Sequence, residues 1–322
     1  MVKFDSVKLC DLFPGGEDRR IIGNSEIEVC SICYCSNECT TNSLFFCVPG
    51  FKHDGHDYAK DAISRGAVAL CVERVLDLPI TQVVVPSVRH IMGPVARRFF
   101  NKPSSNLLTV GITGTNGKTT VAFLTAFILS ELGLRSGLMG TIKRRVGGND
   151  MPAGRTTPEA LDIQRDLAEM VEANDKAAVL EVSSHALDLG RVRGVDFSVV
   201  AFTNLTQDHL DFHGDLESYF KAKQRLFVDK ELKNSSRWAV INIDDPYGRR
   251  LLLDLDRRST LTFSMNSETT ADLEISEYRI GPTCTEGVLV MRGNALIASA
   301  NAKEFNAANN TNEHCEKHLP ET

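Results

Sequence analysis

Between residues 106 and 243, apolar runs of strand length alternate with stretches whose apolar positions recur every three or four residues. The runs are "NLLTVGIT", "AAVLEV", "VDFSVVAFTN" and "RWAVINI". Short apolar runs bounded by turn residues predict buried strands. The periodic stretches are "KTTVAFLTAFILSEL", "LDIQRDLAEMVEAN" and "DLESYFKAKQRLFV". In the first of these, Val121, Leu124, Ile128 and Leu132 stand at helical spacing and Gly133 marks a stop. Strands alternating with helices predict a parallel sheet covered on both faces, with ligands gathering beyond the carboxyl ends of its strands.

Residues 1 to 103 mix shorter apolar runs, "SLFFCVPG", "AVALCVE" and "TQVVVPS", with the helix-like "DYAKDAISRGA". There Ala59, Ala62 and Ile63 share one helical face and Gly66 is a plausible stop. "RFFNKPSSN", residues 98 to 106, reads as a linker. The predicted fold is α/β: an N-terminal α/β domain over 1–103, then a phosphate-loop domain with a mostly parallel sheet over 104–310. The polar, Asn-rich end "NAKEFNAANNTNEHCEKHLPET" has no apolar periodicity. Residues 311–322 are expected to be an irregular tail, and the chain to stop short of a further domain.

Composition narrows the partners. The chain is 42% hydrophobic and 24% charged, with a formal net charge of −6, so no basic field favours nucleic acid or an anionic membrane. The N-terminus has no apolar segment of signal-peptide type. Nine cysteines, an odd number, favour reduced thiols and a cytoplasmic setting.

"VGITGTNGKTT" follows a predicted strand and opens a predicted helix, the context of a phosphate-binding loop. Gly114 and Gly117 let backbone N–H groups approach phosphate oxygens. Lys118 would reach the β- and γ-phosphates of ATP, and Thr119 would offer its hydroxyl to Mg²⁺. The strict G-x-x-x-x-G-K-[ST] spacing is not met, because Ile112 stands at the first glycine position and Gly111 is one residue early. The bland reading, a Gly-rich turn with a surface lysine, leaves the order of strand, glycines, Lys-Thr and helix unexplained.

Three further segments fall at the expected crevice. "LEVSSHAL" puts Glu181 at a strand end with Ser183, Ser184 and His185 beyond it, "TNLTQDHLDFHG" carries Asp208, His209, Asp211 and His213, and "YFKAKQRLF" carries Lys221 and Lys223. Phosphoryl transfer needs hard oxygen ligands and Mg²⁺ near the γ-phosphate. Each residue alone has a structural alternative, such as a helix cap or a solvated face, but three consecutive strand ends beside a phosphate loop favour a site. "SSH" lacks the G-x-S-x-G elbow of a serine hydrolase.

In this order, "TGTNGKTT", "TTPEALDIQ", "LEVSSHALDLGRV", "FTNLTQDHLDFHG", "YFKAKQRLF" and "INIDDPYG" resemble the Mur ligases. "TTPE" with "EVSSHAL" and "DHLDFHG" is similar to the branch that adds the third amino acid. The resemblance implies a UDP-sugar domain, a central ATPase and a C-terminal domain carrying the incoming amino acid. It also implies the reaction: ATP phosphorylates the D-glutamyl carboxylate of UDP-N-acetylmuramoyl-L-alanyl-D-glutamate, and an amine displaces the phosphate, in peptidoglycan precursor synthesis. On this likeness Gly114, Thr115, Asn116, Gly117, Lys118, Thr119 and Thr120 bind ATP, with Asn242 near the adenine. Thr119 serves a first Mg²⁺, Glu181 and His209 a second metal ion, and Lys223, as a carbamate formed with CO₂, is a metal partner. Lys118, Glu181, His209 and Lys223 are the catalytic set. Ser36, Thr156, Thr157, Ser183, Ser184 and Arg191 hold the muramoyl-dipeptide, and the protein acts as a monomer. The alternative is a ligase-derived protein that binds nucleotide without ligating.

"CSICYCSNEC", residues 30 to 39, has the spacing C-x-x-C-x-C-x-x-x-C, without the second C-x-x-C or the distant histidine pair of a strong zinc signature. Reduced thiols without metal are the expectation, both here and for His314, Cys315 and His318 in the tail. Against the family's UDP-contacting segment, Ser36 and "SLFF" fit. Cys35 stands where an aspartate is expected, Asn37 where an arginine is, and Thr41-Asn42 replaces a Pro-Gly turn. Losing that Asp and Arg removes charge-assisted contacts to UDP.

Overall fold

A computed structural model describes residues 5–13, 19–50, 52–232, 237–266, 268–280, 284–291 and 294–301. The tail 311–322, with His314, Cys315 and His318, lies outside them. In chain order, β1 (Val7–Lys8) pairs antiparallel with β3 (Glu28–Val29), and the short α1 (Leu9–Leu12) follows β1. A five-stranded sheet is then built from β2 (Arg20–Ile22), β4 (Ser31–Cys33), β5 (Ser43–Phe46), β6 (Ala67–Val72) and β7 (Thr81–Val84), in the order β2-β7-β6-β5-β4. Its strands are parallel except β2. α2 (Ala59–Ser64) buries Ala59 and Ala62 as its pattern predicts, and α3 (Val88–Phe99) carries the chain to the second sheet.

The second sheet has eleven strands among the described residues. They are β8 (Leu108–Thr113), β9 (Ser136–Met139), β10 (Lys143–Val146), β11 (Asn149–Pro152), β12 (Ala177–Glu181), β13 (Val199–Phe202), β14 (Trp238–Asn242), β15 (Thr260–Ser264), β16 (Leu273–Ile280), β17 (Cys284–Met291) and β18 (Asn294–Asn301). The order is β11-β10-β9-β12-β8-β13-β14-β15-β16-β17-β18. The stretch from β9 to β16 is parallel, and an antiparallel pair closes each end. From β8 the chain moves to one side through β9 and β12, then crosses to β13 on the other side. β8 is therefore the switch point at which a crevice opens.

The helices of this part are α4 (Lys118–Glu131), α5 (Ala160–Glu172), α6 (Ser184–Asp188), α7 (Leu210–His213), α8 (Leu216–Val228) and α9 (Pro246–Leu251). Side chains alternate across the strands. Val110, Ile112, Leu138 and Val179 face α4, while Ala178, Leu180, Val200 and Phe202 face the other layer with α5 and α8. Among the described residues no helix is long and apolar enough to cross a membrane.

Two expectations need correcting. The α4 face is not the one Val121, Leu124, Ile128 and Leu132 define: Ile128 is 55% and Leu132 71% exposed, and the helix buries Ala122, Phe123 and Ala126. Ala122 and Ala126 bring the backbone close to the sheet, which larger residues on that stripe would prevent. The segment 98–106 is not a free linker either. Its start belongs to α3, and Pro103 and Ser104 are buried. Ser104 Oγ accepts from the Asp196 N–H at 3.1 Å, and Arg97 pairs with Asp196, so the connection is clamped to the second sheet.

α3 joins the two sheets. Met92, Val95, Ala96 and Phe99 pack in one cluster with Ala160, Leu161 and Ala168 of α5. At Gly93 the helix backbone touches the turn at Arg193–Gly194 so closely that an added Cβ would collide with the Arg193 carbonyl oxygen. Both sides of that contact are backbone, so neither can rotate away. Gly93→Ala is expected to lower stability by about 2–3 kcal/mol, in the range of overpacking in a close-packed interior. Gly154→Ala, at a site with nothing within 4 Å, should leave it unchanged. Urea unfolding of the two variants checks this, and equal midpoints would refute the close contact.

Candidate active site

Four strand ends, those of β8, β9, β12 and β13, meet at the crevice. The turn after β8 runs from Gly114 to Gly117, and α4 starts at Lys118. Gly114 crosses the end of β13 so tightly that a Cβ would collide with the Thr203 hydroxyl, and Gly117 has φ +81. The turn is tied to the segment after β13: Thr115 N–H donates to Asn204 O (2.8 Å) and Asn116 N–H to Asn204 Oδ1 (2.9 Å). Thr203 Oγ1 donates back to Asn116 O (2.7 Å).

Glu181 ends β12 and is fully buried. Its carboxylate accepts from Thr119 Oγ1 (2.8 Å), Thr141 Oγ1 (3.1 Å) and Thr141 N–H (2.9 Å). Gly140 makes room for it, since a Cβ there would strike Oε1. Gly140 and Thr141 were missed by sequence reasoning, although they directly follow the apolar run "SGLM" of β9, where a parallel sheet presents its strand ends.

Two lysines converge under the turn. Lys118 Nζ donates to Gly114 O (3.0 Å) and Thr115 O (2.9 Å). Lys223, on the buried face of α8, donates to the same Gly114 O (2.7 Å), and its Nζ lies 4.5 Å from the Tyr219 ring centroid. Burial, and after it the charge of Lys118, bring the Lys223 amine down to about 7. Burial also lowers Lys118, opposed by Glu181 and Asp208.

A cavity of about 230 Å³ is lined by Thr115–Thr120 of the turn and helix start together with Thr141, Thr156, Ser183 and His209. A second, of about 550 Å³, is lined by Thr156, Thr157, Ser183, His185, Arg191, His209, Leu189 and Phe212. Thr156, Ser183 and His209 belong to both, so the two spaces share a wall. Thr157 Oγ1 donates to Glu181 O (2.8 Å) and accepts from Ser183 N–H (3.1 Å), and Arg191 donates to Thr157 O (3.2 Å). Arg191 also pairs with Glu159 (3.1 Å), which Arg89 (3.3 Å) and Arg155 join. Glu159 lies within the quoted "TTPEALDIQ", and its role as the hub of three arginines is invisible in sequence.

Ser184 is buried, and its Oγ bonds His213 Nε2 at 2.9 Å. The other ring nitrogen of His213 lies 3.6 Å from Asp188, beyond hydrogen-bond length. Ser184 lines neither cavity, so the trio fastens α7 to α6 rather than presenting a nucleophile. His209, just before α7, has φ 51, and its ring packs edge-on to His185 at 4.9 Å.

Two sequence-assigned residues stand apart. Asn242 spends its amide on the fold, donating to Thr203 O (2.7 Å) and accepting from Asp244 N–H (3.0 Å). Ser36 is buried in the turn after β4 and lines neither cavity. A third cavity of about 310 Å³ between the two sheets is bordered instead by Tyr34, Arg144, Arg155, Glu159 and Asp162.

The donor set suits a hard cation: the Thr119 hydroxyl and the Glu181 carboxylate are already together, and His209 lines the same cavity. Among the described residues no three His, Cys, Asp or Glu side chains gather as a metal site by themselves. Mg²⁺ takes one or two protein ligands and fills its remaining positions with phosphate oxygens and water.

An open, mostly parallel sheet with a glycine turn, a buried carboxylate and two lysines at its switch point defines an α/β protein of the phosphate-loop kind. The chain belongs to the Mur ligase family. Residues 28–105 match the Mur ligase family catalytic domain and residues 112–312 the Mur ligase middle domain. It is 40% identical over 279 residues to the UDP-N-acetylmuramoyl-L-alanyl-D-glutamate–2,6-diaminopimelate ligase of Halalkalibacterium halodurans, covering 87% of this chain and 57% of that protein. It is 45% identical over 251 residues to the ligase of the same name in Solibacter usitatus, covering 77% and 50%. A solved structure of a ligase of that name superposes with a TM-score of 0.77 at 28% identity, over 91% of this chain and 59% of that one. The chain thus spans about half the length of the curated relatives it matches.

The buried lysine generates a prediction about stability. Its folded value of about 7 lies below the ordinary 10.5, so the folded chain binds fewer protons between those values. Stability from this group therefore rises as pH increases from 7 to 10.5, and below 7 the full cost of burying the ammonium remains. Lys223→Met should flatten that rise relative to the wild type. Urea unfolding from pH 6.5 to 10 measures it, and parallel curves for the two proteins would contradict a depressed Lys223.

Proposed function

We propose that this chain carries the ATP and acceptor sites of an ATP-dependent ligase. In this reading it extends UDP-N-acetylmuramoyl-L-alanyl-D-glutamate by one amino acid in peptidoglycan precursor synthesis. The names of its relatives support diaminopimelate as that amino acid. The observation that carries the reading is the wall of Thr156, Ser183 and His209 common to the 230 Å³ and 550 Å³ cavities. A γ-phosphate at the turn and a carboxylate in the larger cavity would meet across it, as attack on phosphorus requires.

In this reading the N–H groups of the Gly114–Thr120 segment and Lys118 hold the triphosphate. Thr119 and Glu181, with His209, hold Mg²⁺, which when bound supplies charge neutralisation between the phosphates. Thr156, Thr157, Ser183 and Arg191 orient the acceptor, and Ser184 acts through α6. Its glutamyl carboxylate oxygen forms the bond to the γ-phosphorus as the bond to ADP breaks. The amine of the incoming residue then attacks the acyl carbon, loses its proton, and phosphate leaves. Lys223 is buried, with an amine brought down to about 7, so a substantial fraction is neutral near pH 7 and able to add CO₂. The carbamate would turn a cation under the turn into an anion suited to a metal.

Mass spectrometry of the chain with Mg-ATP, the UDP-muramoyl-dipeptide, bicarbonate and an amino-acid pool including diaminopimelate tests the assignment. A product heavier by one diaminopimelate residue is expected. ATP hydrolysis without that product would replace the ligase reading with that of a nucleotide-binding protein that does not ligate. Lys223→Ala should cut turnover by at least ~100-fold while ATP still binds, and ¹³C-bicarbonate should give a carbamate resonance in the wild type that this variant lacks. Full activity of Lys223→Ala without added short carboxylic acids would remove the carbamate from the mechanism.

A further inference from the structure

The cysteine-rich segment takes no part in the reaction proposed above, yet it contains a built pair. Cys33, at the end of β4, and Cys39, after the turn Ser36–Glu38, point at each other with sulfurs 3.0 Å apart. Both sit in one apolar cluster with Phe45, Cys47, Ala59 and Leu70. Two other thiols bond elsewhere: Cys30 Sγ accepts from Asn42 at 3.7 Å, and Cys10 lies against Glu26 at 3.5 Å.

We propose that Cys33 and Cys39 are an oxidation site that reacts with a low-molecular-weight disulfide to form an intramolecular disulfide. A sulfur–sulfur bond is ~2.05 Å long, so the thiols need to close by only about 1 Å, within the reach of side-chain rotation. Cys39 is 7% exposed and Cys33 2%, which makes Cys39 the first to be reached. The hydrogen bond from Cys33 holds Cys39 below the usual thiol value, while Cys33 is pushed far above it. That is the asymmetry between an attacking and a resolving thiol. The Cys39 thiolate attacks one sulfur of the reagent, and the first thiol leaves with a proton. Cys33 then loses its proton and attacks Cys39 Sγ, expelling the second thiol. Two protein thiols are oxidised and one disulfide is reduced to two thiols.

The reaction would close a ring of chain around Tyr34, whose hydroxyl donates to Asp162 on α5 at 2.6 Å and which borders the cavity between the sheets. Oxidation state would therefore be communicated to that cavity. The proposal stands on the thiol geometry and not on the ligase reading.

The test is to incubate the intact chain with excess oxidised glutathione, quench in acid, alkylate, and digest without reduction using a protease that cuts after glutamate. Cleavage after Glu38 separates the two cysteines, so their disulfide links peptide 29–38 to peptide 39–73 and lowers the combined mass by two hydrogens. Because these peptides also carry Cys30, Cys35, Cys47 and Cys71, fragmentation of the linked pair, with the other thiols alkylated, locates the bond. Linkage of Cys33 to Cys39, unchanged in Cys35→Ser, lost in Cys33→Ser and reversed by dithiothreitol, is the expected result. Complete alkylation of both thiols, a persistent glutathione adduct on Cys39, or linkage to any other cysteine would overturn the proposal. The wild-type map decides the matter even if Cys33→Ser fails to fold.

Discussion

The end of the large sheet is organised by one buried charge. A carboxylate removed from water is tolerated only when its oxygens are fully engaged, and Glu181 meets that condition with donors from two separate segments. Thr119 comes from the first turn of α4 and Thr141 from the end of β9. Its backbone carbonyl is held by Thr157, and Gly140 gives up a side chain to make space. The phosphate turn, the β9 end, the Thr156–Thr157 segment and α6 are thereby fixed relative to one another. Both cavities inherit their shared wall from that arrangement.

A second constraint lies beneath the turn. Lys118 and Lys223 both donate to the carbonyl of Gly114, and two full positive charges in a buried site repel strongly. Lys118 opens toward the smaller cavity, while Lys223 is enclosed by α8 and the Tyr219 ring. Proton loss therefore falls on Lys223, whose displacement is the larger. Lys118 faces the smaller cavity, and the more strongly lowered Lys223 sits where a charge is hardest to solvate.

The alternation of apolar runs and periodic stretches was enough to read the parallel sheet, because buried strands leave an unambiguous pattern. The turn, Glu181, His209 and the Thr156–Thr157 pair were also legible, since strand ends in such a sheet converge by topology. Periodicity failed on α4, where Ala122, Phe123 and Ala126 form the packed stripe and Ile128 and Leu132 face outward. A hydrophobicity count cannot register that close approach to a sheet favours small side chains. Gly140 and Thr141 were illegible for another reason: their partner is a carboxylate forty residues away. Asn242 and Ser36 carry the right letters, but their side chains lie away from both cavities.

The polarity of the larger cavity orders what can enter it. Arg191 stands on its wall in company with Glu159, and the phosphate turn lies beyond the shared wall. On the same wall the His185 ring lies tilted against Phe212 with centroids 4.1 Å apart, and burial, then the neighbouring His209, lower its pKa. A neutral imidazole against a phenyl ring makes that stretch apolar, so charged groups of a ligand are driven toward its polar surroundings. In the reading proposed above, an elongated acceptor with carboxylates would satisfy this, with one acidic group by the arginine and another at the wall shared with the turn.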